Sequence, residues 1–183
     1  RITVRSDGDR IGILSAGKSY LDTRQALLDL GFDDDAALHA AGIRLAKIGL
    51  LCPLDGDFVR EFAQGLDTII VVEEKRDFLE RQVGHAVCGL GPVRVLGKHD
   101  PEGRELFLIA GGMNSDIVTE RLGRALASLG VLPAGAAQQL GCLAAAASRP
   151  FSPQPGRSVN FCSGCPHNIS TRLAPDQLAW GAP

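Results

Sequence analysis

Several kinds of segment are missing from this 183-residue chain, and each absence narrows what it does. No apolar run approaches the ~20 residues that cross a bilayer, and no charged-then-apolar leader opens the chain. The expectation is a cytoplasmic protein with no membrane partner. No run of lysines and arginines occurs either: 19 basic residues are scattered among 21 acidic ones for a formal net charge of -2. That balance excludes long-range attraction to nucleic acid. The four histidines, His39, His85, His99 and His167, show no metal spacing such as H-x-x-x-H. No internal repeat is present, and a second C-x-x-C pair is absent. The only methionine is Met113 and the first residue is Arg1, so the chain is expected to be an internal piece of a longer one.

What is present is enough apolar material, 45% of residues, to bury one substantial core. Its pattern alternates short strands with helices. After a polar opening from Arg1 to Arg10, Ile11–Leu14 reads as a buried strand. A helix follows, with Ser19 as a cap, Leu21, Ala26, Leu27 and Leu30 inward, and Gly31 as its stop. Asp33–Asp35 open a loop with a short helical turn, and Ile43–Leu51 forms a second strand ending at Cys52-Pro53. Asp57 is the expected N-cap of a helix with Phe58, Phe62 and Leu66 on one face. Thr68-Ile-Ile-Val-Val-Glu-Glu74 carries the strongest strand signal, as in the centre of a parallel sheet. A helix from about Arg76 to Val87 leads to a fourth strand, Val93–Gly97. Helices over Asp116–Leu129 and, Ala-rich, over Pro133–Ala147 complete the pattern. Strands alternating with helices imply right-handed crossovers, hence an α/β fold: a doubly wound, mainly parallel sheet with helices on both faces. The expected organisation is a domain over residues 1–148, a Pro-rich linker over 149–159, and the incomplete start of another domain over 160–183.

Three motifs bear on chemistry. Gly12-Ile-Leu-Ser-Ala-Gly-Lys-Ser19 satisfies the phosphate-loop pattern, in which backbone amides wrap phosphates and the lysine meets their charge. A phosphate loop needs a buried strand before its first glycine, however, and here polar Arg5–Arg10 precedes Gly12; the favoured reading is that Ile11–Leu14 is itself the strand. Glu73, Glu74, Lys75 and Arg76 lie where a strand's carboxyl end meets a helix, the edge on which open α/β sheets place ligands. A carboxylate there is either an acid–base group or, as the favoured reading, a cap for the next helix. Lys18 shares that edge. Of five cysteines, Cys52, Cys88 and Cys142 sit singly in apolar or Gly-rich stretches and are expected to be buried thiols. Cys162 and Cys165 alone are spaced like a site, suited to zinc, a cluster or redox exchange.

Four blocks in order, Gly12–Asp22, Lys47–Leu54, Gly65–Arg76 and Cys162-Ser-Gly-Cys-Pro-His-Asn168, resemble the indolepyruvate ferredoxin oxidoreductases of the 2-oxoacid:ferredoxin oxidoreductase family. The resemblance implies a transketolase C-terminal-like domain between two thiamine diphosphate domains, with no catalytic residue of its own and no cofactor-binding residue within 1–148. Lys18, Glu73, Glu74 and Lys75 then mark an interdomain edge. The whole enzyme so implied oxidatively decarboxylates aryl 2-oxoacids to acyl-CoA, using thiamine diphosphate, magnesium, [4Fe-4S] clusters, coenzyme A and ferredoxin, while the fragment is inactive. Cys162 and Cys165 are implied as cluster ligands, although Pro166 stands where cluster-binding relatives commonly have glycine. The alternatives kept open are a phosphate-loop nucleotide-binding protein using Gly12–Ser19, and a metal or redox module using Cys162 and Cys165.

Overall fold

In the computed structural model, which describes residues 1–148 and 161–171, five strands form one sheet: β1 (Ile2–Val4), β2 (Ile11–Ala16), β3 (Ile43–Ile48), β4 (Thr68–Val72) and β5 (Arg94–Leu96). The spatial order is β1-β3-β2-β4-β5; β2, β3, β4 and β5 are parallel and β1 pairs antiparallel with β3. The chain divides into two units, Arg1–Arg149 and Pro150–Pro183. The Pro-rich stretch expected to be a linker lies outside the described residues.

Seven helices occur among the described residues: α1 (Gly17–Asp29), α2 (Asp35–Ala40), α3 (Gly56–Ala63), α4 (Phe78–Val87), α5 (Ser115–Ser128), α6 (Ala136–Ala147) and, in the second unit, α7 (His167–Ser170). The period of two along each strand sorts its side chains between two cores. Ile11, Ile13, Ile43, Leu45, Ile70 and Val72 meet Leu27 of α1, Leu38 of α2 and Leu122 of α5 on one face. Leu14, Ala46, Ile48, Ile69 and Val71 meet Phe62 of α3 and Leu79 and Val83 of α4 on the other. Both faces are covered, so β4 is buried throughout rather than alternating. The doubly wound reading therefore holds for the four parallel strands.

The structure corrects several local expectations. Residues 2–4, read as part of a polar opening, form the antiparallel edge strand: three residues are too short for a periodic signal, and the strand exists because β3 offers it an edge. Helix α1 starts at Gly17, with Ala16 and not Ser19 at its N-cap, and Leu21 points to solvent. Asp55, not Asp57, caps α3 by accepting from the amides of Asp57 and Phe58. Phe78 is exposed at the first residue of α4. Cys52, Cys88 and Cys142 are exposed rather than buried, because each lies in a loop or on an outward helix face. No described helix is long and apolar enough to cross a membrane.

Two features fix how α3 sits on the sheet. Gly12 has no side chain where a Cβ would come within 2.5 Å of Leu66 and 2.6 Å of Phe62, so only glycine lets this helix and its exit lie directly on β2. Arg44, in the buried part of β3, is 3% exposed. Its Nε donates to Asp9 at 3.1 Å, and its Nη1 donates to the carbonyls of Phe62 at 2.6 Å and Gln64 at 2.9 Å. A buried guanidinium thus closes the C-terminal end of α3 and ties it to the turn before β2. Removing one partner of such a pair strands the other's charge in the core. Asp9→Ala is expected to cost about 3–5 kcal/mol in urea unfolding, and adding Arg44→Met to recover most of that loss.

Candidate functional site

The strand order reverses about β2: the chain passes from β2 to β3 on one side, then crosses to β4 on the other. The carboxyl ends of β2 and β4 therefore flank the switch point, where open α/β folds hold their ligands. A pocket of about 190 Å³ lies there, lined by Ala16, Ser19, Leu51, Val72, Glu74 and Phe78 among others. That is below the roughly 300–1,000 Å³ typical of small-molecule sites. Strand β2 continues to Ala16 and the turn is made at Gly17, whose φ is +53°. The Gly12–Ser19 stretch is consequently strand and helix start, and no loop is left to wrap a phosphate. This corrects the nucleotide-binding alternative, as the polar residues before Gly12 already suggested.

The structure gathers Lys18, Glu73, Glu74 and Lys75 at this edge and occupies each of them internally. Both carboxylate oxygens of Glu73 accept from the first amides of α4, Leu79 at 2.7 Å and Glu80 at 2.9 Å. It is a helix cap, the second of the two roles weighed on sequence. The other three hold one segment of the loop that follows β5. Lys75, in a left-handed conformation with φ of 66°, donates to the Gly111 carbonyl at 2.9 Å. Glu74 accepts from the Met113 amide at 3.2 Å, and Lys18 donates to the Met113 carbonyl at 3.1 Å and to Asp22 at 2.5 Å. The Met113 side chain is buried in the core beneath them.

Lys98 is the residue that reading the sequence missed. It leaves β5 through Gly97 and is 2% exposed. Its ammonium donates to the Glu73 carbonyl at 2.5 Å, and its amide donates to Glu80 Oε2 at 2.8 Å. Burial pushes the Glu73 carboxyl up from its ordinary range, against the two amides and the Lys98 charge that favour ionisation. Burial likewise pulls the Lys98 ammonium down, against the nearby Glu73 and Glu80 carboxylates. The only hint in the sequence was position: a single lysine at the carboxyl end of a parallel strand.

The same edge presents apolar side chains to solvent. Leu21 follows β2 on α1 and is 64% exposed; Leu50, 65% exposed, and Leu51 follow β3; Phe78, 52% exposed, follows β4; Ile109 lies in the loop after β5. Gln82 of α4 donates to the Leu51 carbonyl at 3.1 Å, tying the β3 exit and its cis Cys52–Pro53 bond to α4. Among the histidines, His39 lies on α2, His85 on α4, and His99 bridges Glu105 through the backbone.

In the second unit, Cys162 and Cys165 share one turn: the Cys165 amide donates to the Cys162 carbonyl at 3.0 Å, as does the Asn168 side chain. Gly164, with φ of 77°, makes the reversal. His167 Nδ1 lies 3.1 Å from the Cys165 sulfur, with its ring stacked on Phe161. Two thiolates on one turn suit a metal or cluster, but a cubane takes four ligands, and no group of three or more His, Cys, Asp or Glu is arranged for a metal among the described residues.

Comparison with known proteins gives a match to the indolepyruvate oxidoreductase domain over residues 1–149. The chain is similar to indolepyruvate oxidoreductase subunit IorA of Archaeoglobus fulgidus, 27% identical over 165 residues, which is 90% of this chain and 22% of that protein. It is also similar to the IorA subunit of Pyrococcus abyssi, 31% identical over 74 residues, 40% of this chain and 10% of that protein. Among solved structures, a split gene transketolase, as an inactive beta4 tetramer, aligns over 69% of this chain and 41% of its own, with 21% identity and a TM-score of 0.44. The chain thus spans between a tenth and a quarter of the length of these curated relatives.

The burial of Glu73 has a signed consequence. Its folded-state pKa is raised, so between the unfolded value near 4.5 and the folded one the native state binds more protons, and stability falls as pH rises through that window. Glu73→Gln removes this titration. The stability advantage of wild type over Glu73→Gln is expected to shrink as pH is raised above 4.5, as read by urea unfolding at a series of pH values.

Proposed function

We propose that this chain, which belongs to the indolepyruvate oxidoreductase domain family, is a non-catalytic docking domain of a larger 2-oxoacid oxidoreductase, seated through the carboxyl edge of its sheet. The observation that carries the reading is the apolar rim: each of the four parallel strands is followed by at least one exposed large apolar side chain, Leu21, Leu50 and Leu51, Phe78, and Ile109. Single exposed leucines are ordinary on any surface, whereas several gathered at one edge mark an interaction site. The charged residues of that edge support the same reading, since Lys18, Glu73, Glu74 and Lys75 hold an internal loop and a helix start. Glu73 and Glu74 also line the switch-point pocket, whose volume of about 190 Å³ is small for a reacting molecule.

On this reading residues 1–148 form the transketolase C-terminal-like domain, residues 149–159 link it onward, and residues 160–183 begin a thiamine diphosphate-binding domain. The whole enzyme oxidatively decarboxylates an aryl 2-oxoacid to an acyl-CoA and passes electrons through iron–sulfur clusters to ferredoxin. Thiamine diphosphate and magnesium belong to flanking domains, whose walls the rim would meet, and Cys162 and Cys165 would offer two thiolates to a cluster. Support for the reaction comes from family membership and from the relatives' names; support for the docking role comes from the rim.

The test is a paired substitution, Leu50→Asp with Phe78→Asp. In the isolated chain both side chains already face water, so thermal unfolding is expected to stay as in wild type. In the full-length enzyme the same pair is expected to lower activity and to make this domain susceptible to limited proteolysis. A full-length enzyme that keeps wild-type activity and protease resistance would contradict the reading.

A further inference from the structure

Beside the β1 edge of the sheet lies a groove of about 670 Å³ between α1 and strands β1 and β3, lined by Arg1, Thr3, Tyr20, Leu21, Arg24 and Lys47, with Gly49 at one end. No carboxylate is among these lining residues. Arg24 shares its guanidinium with Asp35 at 3.1 Å. Lys47 is exposed and has no carboxylate partner among the described residues. Its ammonium stands 5.4 Å from the centre of the Tyr20 ring, a cation–π contact that leaves the charge free to meet an anion. The Tyr20 hydroxyl donates to Thr3 Oγ1 at 3.1 Å, and Thr3 Oγ1 donates to the Leu45 carbonyl at 3.1 Å, so the aromatic platform is fixed to the sheet. The groove is thus basic and aromatic along its floor and wall, and apolar at the end where Leu21 stands and Leu50 follows Gly49.

Its position adds a backbone argument. Strand β1 is three residues long and, among the described residues, pairs with β3 alone, so it is an edge to which an extended segment can add. We infer that this groove receives an extended acidic segment of a protein partner, with carboxylates on Lys47 and Arg24 and an apolar residue against Leu21. The inference rests on the docking role proposed above and gives that role a chemistry: the rim supplies apolar contact, and the groove beside it selects a partner of negative charge.

The probe is a pair of fluorescein-labelled peptides, one alternating glutamate with leucine and one alternating lysine with leucine, titrated into the 183-residue chain at low and high salt and followed by fluorescence anisotropy. The acidic peptide is expected to bind and the basic one not to bind. Binding is expected to weaken in high salt, and to fall about tenfold in Lys47→Glu combined with Arg24→Glu, whose thermal unfolding shows it folded. Phe78→Asp alone, on α4 and outside the groove, is expected to bind the acidic peptide as wild type does. Equal binding of both peptides, no effect of the charge reversals, or displacement of the acidic peptide by tripolyphosphate at equal concentration would each overturn the inference. Should the rim substitutions disable the full-length enzyme while the charge reversals leave peptide binding intact, the docking role stands and the acidic partner falls. The opposite pair of results removes the rim and leaves the groove.

Discussion

The buried ammonium of Lys98 sets the geometry of the whole carboxyl edge. A lysine 2% exposed must replace its lost water, and it does so with the backbone carbonyl of Glu73 and the carboxylates around it. Because Glu73 spends its side chain on the α4 amides and its carbonyl on Lys98, the exit of β4 has one available course. That course puts Phe78 at the solvent face and turns the next two residues, Glu74 and Lys75, back over the sheet. There they meet Gly111 and Met113, and Lys18 arrives at the same segment from α1. One ammonium therefore links the exits of β4 and β5 to the loop that closes the edge.

The same arrangement explains why this edge presents apolar surface where many doubly wound folds present a polar crevice. The groups able to polarise, protonate or hold a phosphate are engaged in supporting the loop, and the switch-point pocket is small. What remains outward is leucine, phenylalanine and isoleucine. Curated relatives extend far beyond this chain, which covers 22% of the Archaeoglobus fulgidus subunit, and the rim and the basic groove share Leu21.

Much of the fold was legible because it rests on periodicity and punctuation. Strand β4, with five β-branched residues, and helix α5, with Val118, Leu122, Ala125 and Leu126 inward, are strong local patterns. Strand β1 was not legible, since three residues carry no period and its partner is more than forty residues away. Arg44 could have been read: a charge inside Ile43-Arg-Leu-Ala46, a strand covered on both faces, requires a buried partner. The site was legible only in part. The carboxyl-edge residues were found, but sequence cannot tell that they hold the loop after β5, because Gly111 and Met113 lie at least 36 residues beyond Lys75 and Glu74 in the chain. Lys98 left no mark besides its place after a strand. The outward Leu21 was misread for a related reason: helical spacing identifies a stripe, and the first turn of a helix rising from a sheet edge lies beyond the layer that would cover it.

The docking role proposed above requires the carboxyl edge of the sheet to be covered in the full-length enzyme. Cys52 lies within this edge, beside Leu50 and Leu51, and Cys88 lies between α4 and β5 at the opposite end; both are exposed in the chain by itself. The most direct measurement is the rate of iodoacetamide alkylation at each thiol, mapped by peptide mass, in the isolated chain and in the full-length enzyme. The account predicts that Cys52 becomes protected in the full-length enzyme while Cys88 keeps its reactivity. Equal alkylation of Cys52 in both would contradict it.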